Sequence, residues 1–533
     1  MEKTIAQQIS ENLMTHLQNN WQDIFGDCEK MQRAVLADIM KYAKDGDYAN
    51  DKRFADCTSY EEFRKKAPLS DYSDYVPYLK GNMAKDAHQL TGSPTEHYLT
   101  TTGTTGEPKY FAETAQGAAA KQTLIDIWNL SVAMQVPQMQ KPDVKMMMVV
   151  NCLEDEFAAN GLPIVRSSGE SAKALYRRHP QMYIHPCEFL EAEMTNEARD
   201  YMQAVYTVAE GHFNMLFCNN LAHFGGILDV IEAKPEQIIS DIREGHFSVD
   251  LKEKDREFLE ESFGKHEKRA AELEQILAED GRLTYEKIWP EFCFIGAWLG
   301  GSIGRMSEDV LRRLPKQIKC ISEMYGSSEA MMSIPMEFGV PYGVLATFGI
   351  FVEFLPLSEG EPVAAWEVKD GEYYEIILTN YSGLYRYNLH DIVRICGFMG
   401  MTPKIEFCCK TIEICHLPNR NLYAFELSEL IENAEKETGV LLSFYQAFVA
   451  ADKLNLVLQP YEQDFPWEKF KQALQKAAQE RGVALGKIYV MDKGYRTALF
   501  EAQMTHGRSI QTIKLPTVIK AAPHDYVNKI YEM

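Results

Sequence analysis

The sequence has little that would anchor it to a nucleic acid, a membrane or a secretory route. Its 533 residues include 77 acidic and 55 basic ones, giving a formal net charge of −22. That balance argues against nucleic acid or an anionic membrane surface as partner, because phosphate backbones require a basic face. The longest apolar runs, such as Met146–Val150, are too short to cross a bilayer. The segment Met1–His16 lacks the apolar core of a signal peptide.

Motifs for disulfide, metal-ligand and hydrolytic chemistry are missing as well. The eleven cysteines are odd in number and scattered, and no two of them form a Cys-x-x-Cys pair. We therefore expect reduced, mostly buried thiols in a cytoplasmic protein. No metal-ligand spacing, Gly-x-Ser-x-Gly elbow or Cys/His dyad stands out. The chemistry has to be sought in other motifs.

The most unusual stretch is Thr101–Lys109, which reads Thr-Thr-Gly-Thr-Thr-Gly-Glu-Pro-Lys. Its two glycines let the backbone turn tightly and approach a ligand. The N–H groups, hydroxyls and lysine of such a turn suit a polyphosphate. The apolar run before the loop predicts a strand, and Thr114–Val132 predicts a helix after it. The spacing departs from the Walker pattern, because the glycines are too close together and the lysine precedes Tyr110. A polar surface turn is the alternative.

A second cluster, Tyr325-Gly326-Ser327-Ser328-Glu329, follows a predicted strand over Gln317–Met324. Ligands of open α/β sheets bind just outside the carboxyl ends of strands. In that position Tyr325 would stack on a purine, and the serines would bond phosphate or carboxylate. Glu329 would hold Mg²⁺ against a triphosphate, because Mg²⁺ prefers one or two carboxylates plus phosphate oxygens. A capped helix start is the alternative.

A third cluster runs from Tyr385 to Arg394 and carries one aspartate. A carboxylate accepts hydrogen bonds from both ribose hydroxyls, so Asp391 is the predicted sugar anchor. The two arginines, Arg386 and Arg394, either meet phosphate or pair with acids in the sheet. His390 is expected to be structural.

A fourth motif, Gly507–Pro516, lies near the end of the chain and includes Lys514. A glycine-led loop that carries a lysine at the edge of a small domain is able to reach a site on another domain. A solvated surface lysine is the alternative.

The order of strand-like and helix-like segments predicts an α/β protein of two parts. Residues 1–409 form a large N-terminal α/β domain, with an attached, barrel-like β subdomain near residues 344–398, where short strands alternate with glycine turns. Residues 410–533 alternate strands and helices and form a smaller α+β domain.

Taken together, the motifs resemble those of the adenylate-forming superfamily in order and spacing. Thr101–Lys109 resembles its phosphate loop, and Gly300-Gly301-Ser302 resembles the small-residue turn at the adenine. Tyr325–Glu329 and Tyr387–Asp391 resemble its Tyr-Gly-x-Ser/Thr-Glu and Tyr-x-x-x-Asp motifs. The boundary near Lys410 resembles the superfamily's hinge, so rotation of the C-terminal domain between half-reactions is implied.

Within that superfamily the chain is similar to the auxin-responsive Gretchen-Hagen-type acyl-acid amido synthetases. The resemblance covers about residues 55 to 520. The elements that carry it are Tyr60–Phe63 with Ala67–Tyr72, Phe351–Pro356, Tyr385–Asp391 and Gly507–Pro516. Asn388 and His390 depart from the family's ribose motif, and Arg508, Thr512 and Ile513 depart from its terminal motif, which keeps Lys514 and Pro516.

The resemblance implies an ATP- and Mg²⁺-dependent ligase that converts a small carboxylic acid to an acyl-adenylate and passes the acyl group to an amine, typically an amino acid. It places the acid between Asn151–Val165, Asn214–Phe224 and Gly296–Gly301. Monomers or weak oligomers are expected. Catalysis is assigned to Lys514, Lys109 and Glu329, with Glu329 also on Mg²⁺. Nucleotide binding is assigned to Thr101, Thr102, Gly103, Thr104, Thr105, Gly106, Gly300, Gly301, Ser302, Tyr325, Gly326, Ser327, Ser328, Asp391 and Arg394.

Two other functions stay open at this point. In an acyl-CoA ligase, the thiol of coenzyme A replaces the amine as acceptor. In a non-catalytic protein, the same motifs bind a nucleotide or an acyl-adenylate without turnover. The terminal motif favours the amide-forming ligase.

Overall fold

A computed structural model describes residues 3–85, 89–101, 108–149, 156–358, 360–461, 464–504 and 515–533. In this part of the chain the strands form five sheets. None of the helices in these ranges has the length and apolar character that a membrane span requires.

The helices of the described residues cluster before, between and around the sheets. The α-helices are α1 (Ile5–Ser10), α2 (Leu13–Gln18), α3 (Gln22–Phe25), α4 (Cys28–Ala43), α5 (Asp47–Asp51), α6 (Tyr60–Lys66), α7 (Tyr72–Ala84), α8 (Ala115–Gln135), α9 (Ser167–Arg178), α10 (Glu188–Glu191), α11 (Asn196–Ala209), α12 (Leu221–Ala233), α13 (Pro235–Glu244), α14 (Glu253–Phe263), α15 (Glu267–Asp280), α16 (Tyr285–Ile288), α17 (Gly301–Leu311), α18 (Ala424–Thr438), α19 (Trp467–Glu480) and α20 (Tyr495–Met504). Two short 3₁₀ helices are Pro137–Gln140 and Pro180–Met182.

The described strands are parallel in one four-stranded sheet and antiparallel in the seven-stranded sheet, and the other two sheets of four strands contain both kinds of pairing. They are β1 (Thr95–Thr101), β2 (Lys109–Thr114), β3 (Lys145–Val149), β4 (Glu156–Phe157), β5 (Pro163–Val165), β6 (Phe213–Cys218), β7 (Phe294–Ala297), β8 (Lys319–Ser322), β9 (Ser333–Ile334), β10 (Tyr342–Leu345), β11 (Phe351–Pro356), β12 (Val363–Ala364), β13 (Tyr373–Thr379), β14 (Tyr387–Met399), β15 (Thr402–Lys410), β16 (Ile414–Leu417), β17 (Arg420–Tyr423), β18 (Leu442–Ala450), β19 (Lys453–Pro460), β20 (Leu485–Met491) and β21 (Val527–Glu532).

A parallel sheet of order β3-β6-β7-β8 organises the core of the N-terminal part. Its strands are short and largely apolar, as expected for strands covered on both faces. Helix α8 covers one face, where the rings of Trp128 and Phe217 lie 5.8 Å apart. Because the strands run in one direction, the carboxyl ends of β6, β7 and β8 meet at one edge of the sheet, at Cys218, Ala297 and Ser322.

A smaller sheet of order β2-β1-β5-β4 carries the predicted phosphate loop. Strands β1 and β2 are antiparallel, and Thr101 pairs with Lys109 at the mouth of the loop. The predicted helix is confirmed as α8, whose first turn is capped where the Thr114 hydroxyl accepts a hydrogen bond from the Gly117 N–H (3.2 Å). The predicted order of strand, loop and helix is wrong in one respect, because β2 lies between the loop and the helix.

The β subdomain is one antiparallel sheet of order β12-β11-β13-β14-β15-β10-β9. It spans Ser333 to Lys410, more than the predicted residues 344–398. The described strands end in two edges, β12 and β9. The barrel-like shape of the subdomain stays a prediction. Strands β14 and β15 form its centre, with Asp391 opposite Lys410.

The C-terminal part has a sheet of its own, of order β18-β19-β20-β21, with a separate apolar core that includes Leu430, Leu456 and Leu474. Helices α18 and α19 pack against each other beside it. The mixed α/β fold with a smaller C-terminal α+β part is as predicted. The boundary after residue 409 falls at the end of β15. That boundary, and its action as a hinge, stay predictions.

The sheet of the β subdomain is tied to the N-terminal helices by a buried ion pair. The Arg386 guanidinium donates to both oxygens of Glu353, at 2.8 and 3.0 Å, and to the carbonyls of Arg64 and Ala67, at 2.9 Å each. Of the two possibilities for Arg386, the structure shows pairing with an acid in the sheet. Buried charges of this kind depend on their partners, because an unpaired charge in the interior is costly.

We expect Arg386→Ala to lower the free energy of unfolding by about 3–5 kcal/mol, because it leaves the Glu353 carboxylate buried without its partner. Urea denaturation measures this loss. The double substitution Arg386→Met with Glu353→Leu should lose less than the single one. Lys476→Ala, in the exposed pair with Glu437, is the control and should leave the midpoint unchanged. An Arg386→Ala midpoint equal to that of the wild type would contradict the role of the pair.

Candidate active site

The turn predicted at the adenine lies at the start of α17 and packs directly against β15. Gly301 has a φ of +58°, a conformation that favours glycine. A Cβ at Gly301 would lie 3.3 Å from the Cys408 carbonyl oxygen, and one at Gly300 would lie 3.2 Å from the Phe407 carbonyl oxygen. Both glycines therefore allow a close approach between the edge of the parallel sheet and the antiparallel sheet. Of Ser302, only the backbone is described, in the first turn of α17.

Tyr325 joins the two sheets by a hydrogen bond. It follows β8, and its hydroxyl donates to Oδ2 of Asp391 at 2.7 Å, across a sequence separation of 66 residues. Its ring lies 5.4 Å from the ring of Phe407. Burial, reinforced by the Asp391 charge, raises the pKa of Tyr325 well above its usual value, so the phenol stays a donor. The two predicted motifs thus meet in space.

Asp391 has a second partner that the sequence did not reveal. The Lys410 ammonium forms an ion pair with the other carboxylate oxygen, Oδ1. Burial acts to lower the pKa of Lys410, but the attraction of Asp391 and Glu329 outweighs it and raises that pKa. From the sequence, Lys410 is predicted only to mark a domain boundary. A lysine at the end of a strand that pairs with the aspartate's strand is the signal that was overlooked.

Glu329 lies in the same cluster. Burial raises its pKa, while the Ser327 hydroxyl and the Lys410 charge act in the opposite direction. Its backbone carbonyl accepts a hydrogen bond from Nδ2 of Asn380 at 2.8 Å. Within the described residues no three His, Cys, Asp or Glu side chains gather into a metal site. One carboxylate, that of Glu329, fits Mg²⁺, which takes its remaining ligands from phosphate and water.

The Ser327 and Ser328 backbone forms the tight turn that precedes Glu329. The Ser327 N–H donates to the Ala330 carbonyl at 2.8 Å. At Gly326 a Cβ would lie 2.2 Å from the Met331 sulfur, so a side chain would displace Met331. These contacts fix the backbone of the turn, which contains Glu329.

The last residue of the phosphate loop, Lys109, and the next one, Tyr110, both contact Tyr72. The Lys109 ammonium lies 5.1 Å from the centroid of the Tyr72 ring, and the Tyr72 hydroxyl accepts from the Tyr110 N–H at 2.9 Å. Burial raises the pKa of Tyr72, and the nearby Glu329 carboxylate adds to the rise. Tyr72 therefore contacts Lys109 and is close enough to Glu329 to be affected by its charge. Of Thr101 only the backbone is described, and Thr102, Gly103, Thr104, Thr105 and Gly106 lie outside the described residues.

Arg394 has different neighbours from the other predicted residues. Its guanidinium lies 5.9 Å from the ring of Tyr373, whose hydroxyl donates to Glu429 of α18 at 2.6 Å. In the described part of the chain the Arg394 side chain forms no hydrogen bond or ion pair to Tyr325, Glu329 or Asp391. Its predicted role in nucleotide binding stays a prediction that these contacts do not support.

The two departures from the ribose motif have partners of their own. The Asn388 amide donates to Glu375 at 2.9 Å, and the His390 imidazole pairs with Asp71 at 2.6 Å. His390 therefore has the structural contact expected of it. Neither residue draws Asp391 away from Tyr325 and Lys410.

Lys514 lies outside the described residues, but the next residue is described. Leu515 is 3% exposed and belongs to an apolar cluster that includes Ile303 of α17 and Phe444 of β18. Trp298, directly before the adenine turn, packs against the same cluster. Leu515 therefore lies beside the edge of the parallel sheet. That the preceding Lys514 reaches the candidate site stays a prediction.

Two of the three segments predicted to form the acid pocket meet at this edge. The N–H of Trp298 donates to the Asn219 carbonyl at 3.1 Å, and the N–H of Glu323 donates to the Ala297 carbonyl at 2.9 Å. In the third segment, residues 151–155 lie outside the described ranges. Glu323 is a residue that sequence reasoning missed. A glutamate directly after a strand that ends at the edge of the parallel sheet was its signal.

Glu323 is held in an unusual state. Burial alone raises its pKa to about 8. Burial also raises the pKa of the neighbouring Cys218 thiol, and the charge of Glu323 adds to that rise. Its side chain keeps partial solvent contact, and the described residues provide it with no ion pair. It is therefore a partly buried carboxyl group without an ion-pair partner in the described part of the chain.

We expect Glu323→Gln to stabilise the protein at pH 8 but not at pH 4.5. Above an ordinary glutamate pKa of about 4.3 the unfolded chain ionises while the folded chain holds its proton, so folding loses stability as the pH rises towards 8. The gain should be roughly 2–4 kcal/mol, less than the full linkage value because of the side chain's solvent contact. Urea denaturation at both pH values measures it. Equal effects at the two pH values would refute the raised pKa, and surface Glu361→Gln is the control.

Comparisons with known proteins agree with the motifs and the fold. A model of the GH3 family N-terminal domain matches residues 17–313, and one of the GH3 family central domain matches residues 343–410. Jasmonoyl--L-amino acid synthetase GH3.5 of Oryza sativa subsp. japonica is 23% identical over 482 residues, 82% of this chain and 78% of that protein. Putative indole-3-acetic acid-amido synthetase GH3.9 of Arabidopsis thaliana is 24% identical over 445 residues, 77% and 75% of the two chains.

Solved structures show the same fold. AtGH3.15 acyl acid amido synthetase in complex with 2,4-DB aligns with a TM-score of 0.80 at 17% identity, over 96% of both chains. A 2-hydroxyisobutyryl-CoA ligase in its postadenylation state aligns with a TM-score of 0.51 at 11% identity, over 93% of this chain and 88% of that one. The family model of the N-terminal domain alone spans more than half of the sequence. The chain therefore belongs to the GH3 family, the Gretchen-Hagen-type family that its motifs resemble.

Proposed function

We propose that the protein is an ATP-dependent acyl-acid amido synthetase that joins a small carboxylic acid to an amino acid. One observation carries the proposal most directly. Tyr325 and Asp391, which come from two separate nucleotide motifs, are joined by a 2.7 Å hydrogen bond. Glu329 lies beside them, close enough to the Lys410 ammonium to affect its pKa. Membership in the GH3 family and the names of its synthetases support the same reaction.

The nucleotide would lie between the Gly300-Gly301 turn and the Tyr325–Asp391 pair. The turn lacks side chains that would block a flat base. Asp391 is already aligned by two donors, so its carboxylate is oriented before any ribose hydroxyl reaches it. The Lys410 ammonium balances the charge of Asp391. It would also attract a negatively charged group of the nucleotide.

Glu329 would provide the protein ligand for Mg²⁺. The ion, when bound, neutralises charge on the phosphate oxygens of ATP. The protein's contribution is to hold Glu329 in place: the tight turn at Ser327 fixes its backbone, and Asn380 donates to its carbonyl.

In the first half-reaction a carboxylate oxygen of the acid attacks the α-phosphorus of ATP. The bond between that phosphorus and the bridging oxygen breaks, and pyrophosphate leaves with the electron pair. Negative charge develops on the phosphate oxygens, so cationic groups aimed at them lower the barrier. Lys109 and the threonines of the loop would provide part of this stabilisation, and Lys514 the rest.

In the second half-reaction the amine nitrogen attacks the acyl carbon. The bond to AMP breaks, the nitrogen loses a proton, and an amide forms. We propose that the C-terminal domain rotates about Lys410 between the two half-reactions, because Lys514 belongs to that domain and the acceptor needs access to the acyl carbon.

We also propose a cytoplasmic location and action as a monomer or weak oligomer. The ten cysteines in the described part of the chain are free thiols, which suits a reducing compartment.

The proposal predicts that product analysis by mass spectrometry will detect AMP and an amide from a mixture of carboxylic acids, amino acids, ATP and Mg²⁺. Glu329→Gln and Lys109→Ala should each lower the rate by roughly 10²–10³-fold, the usual cost of removing a group that stabilises the transition state. Glu361→Gln, an exposed glutamate, is the matched control and should keep the wild-type rate.

Coenzyme A is included in a parallel reaction. A thioester product in place of the amide would make the protein an acyl-CoA ligase and would contradict the proposal. Bound ATP with no AMP release under any condition would favour a nucleotide-binding protein without turnover.

A further inference from the structure

Behind the Glu329 turn lies an ion pair that none of the predicted motifs includes. Glu113 is near the end of β2, the strand that leaves the phosphate loop, and its side chain is 3% exposed. It pairs with the ammonium of Lys121 of α8 and accepts a hydrogen bond from the Ser382 hydroxyl at 2.9 Å. A carboxylate buried to this degree requires such partners, because an isolated charge is costly in the interior.

Lys121 reaches beyond its carboxylate partner. The same ammonium donates to the backbone carbonyl of Ser328 at 3.4 Å, across a sequence separation of 207 residues. An ion pair that served only to neutralise Glu113 would not need this third group. Through it, the strand that leaves the phosphate loop is connected to the residue before Glu329.

The following carbonyl is held from the other side by the same assembly. Asn380 donates to the Glu329 carbonyl at 2.8 Å, and its own side-chain oxygen accepts from the Ser382 N–H at 3.0 Å. Ser382 in turn binds Glu113. Two successive carbonyls, those of Ser328 and Glu329, are therefore fixed by side chains that all connect to Glu113.

A small cavity separates these groups. It measures about 20 Å³ and is lined in part by Glu113, Lys121, Glu329, Asn380 and Ser382. This is room for about one water molecule. The Glu329 segment is thus supported by polar contacts beside a space into which it is able to shift if a contact is lost.

We propose that the Glu113–Lys121 pair positions the Ser328–Glu329 backbone relative to strand β2 and thereby sets the affinity of the site for Mg²⁺ and ATP together. Both are positioning residues, since neither is placed against the substrates. The inference rests on the proposed function only in taking Glu329 as the Mg²⁺ ligand. It requires no knowledge of the acid or the amine.

The test is a calorimetric titration of the full-length protein with ATP at a series of Mg²⁺ concentrations. For Lys121→Gln and Glu113→Gln we expect the Mg²⁺ concentration that gives half-maximal ATP binding to rise roughly ten- to hundredfold, because a small misplacement of a binding group has effects of this size. Lys121→Arg, which keeps the charge and the donors, should restore most of the wild-type response.

Arg313→Gln is the matched control. It breaks a partly buried pair with Asp229 and Glu232 in the same domain, so it destabilises the fold without touching the Glu329 turn. Its Mg²⁺ dependence should equal that of the wild type. If Lys121→Gln fails to fold, Ser382→Ala removes one hydrogen bond to Glu113 and should give a smaller shift in the same direction.

A folded Lys121→Gln or Ser382→Ala protein with the wild-type Mg²⁺ dependence would overturn the proposal. The titration contains no acid, so its outcome is separate from that of the synthetase reaction. A wild type that binds Mg²⁺ and ATP but forms no product refutes the proposed function and leaves this test intact. A wild type that binds no ATP overturns both.

Discussion

The candidate site depends on the two contacts of the Asp391 carboxylate. One of its oxygens accepts from Tyr325 at the end of the parallel sheet, and the other pairs with Lys410 at the end of β15. The end of the parallel sheet is thereby joined to the two central strands of the β subdomain. The predicted sugar anchor, purine contact and hinge residue are direct neighbours there. Because the charge of Glu329 also acts on Lys410, the predicted sugar anchor and the predicted Mg²⁺ ligand share this lysine as a neighbour.

Helix α17 connects the candidate site to the C-terminal part of the chain. It begins at the Gly300-Gly301 turn and carries Arg305, whose guanidinium donates to both oxygens of Glu435 in α18, at 2.7 and 3.0 Å. Arg496 of α20 pairs with Asp309 of the same helix. The element that forms one wall of the candidate site is therefore also the docking surface for the part that carries the terminal motif. Any rotation of that part has to break these pairs.

The sequence was sufficient for the motifs and the fold class, and insufficient for the contacts that hold the motifs in place. The Tyr325 and Asp391 motifs were recognisable because their residue types match their chemistry and they follow strand patterns. Strand β2 was missed because its six residues run directly into α8, with no glycine or proline between the strand and the helix. The strand order of the antiparallel sheet could not be predicted because it depends on pairing between distant segments. Lys121, Lys410 and Glu323 are ordinary charged residues in the sequence, and only the fold gives them partners or removes them from water.

The most direct test of the account is exchange of radiolabelled pyrophosphate into ATP in the presence of Mg²⁺, with carboxylic acids supplied one at a time. The reaction isolates adenylation from the transfer step and needs no acceptor. We expect exchange that depends on one class of acid and requires Mg²⁺. The exchange should be lost in Asp391→Ala, because Asp391 is proposed to orient the nucleotide. Binding of ATP without exchange for any acid would contradict the claim that this cluster is an adenylation site.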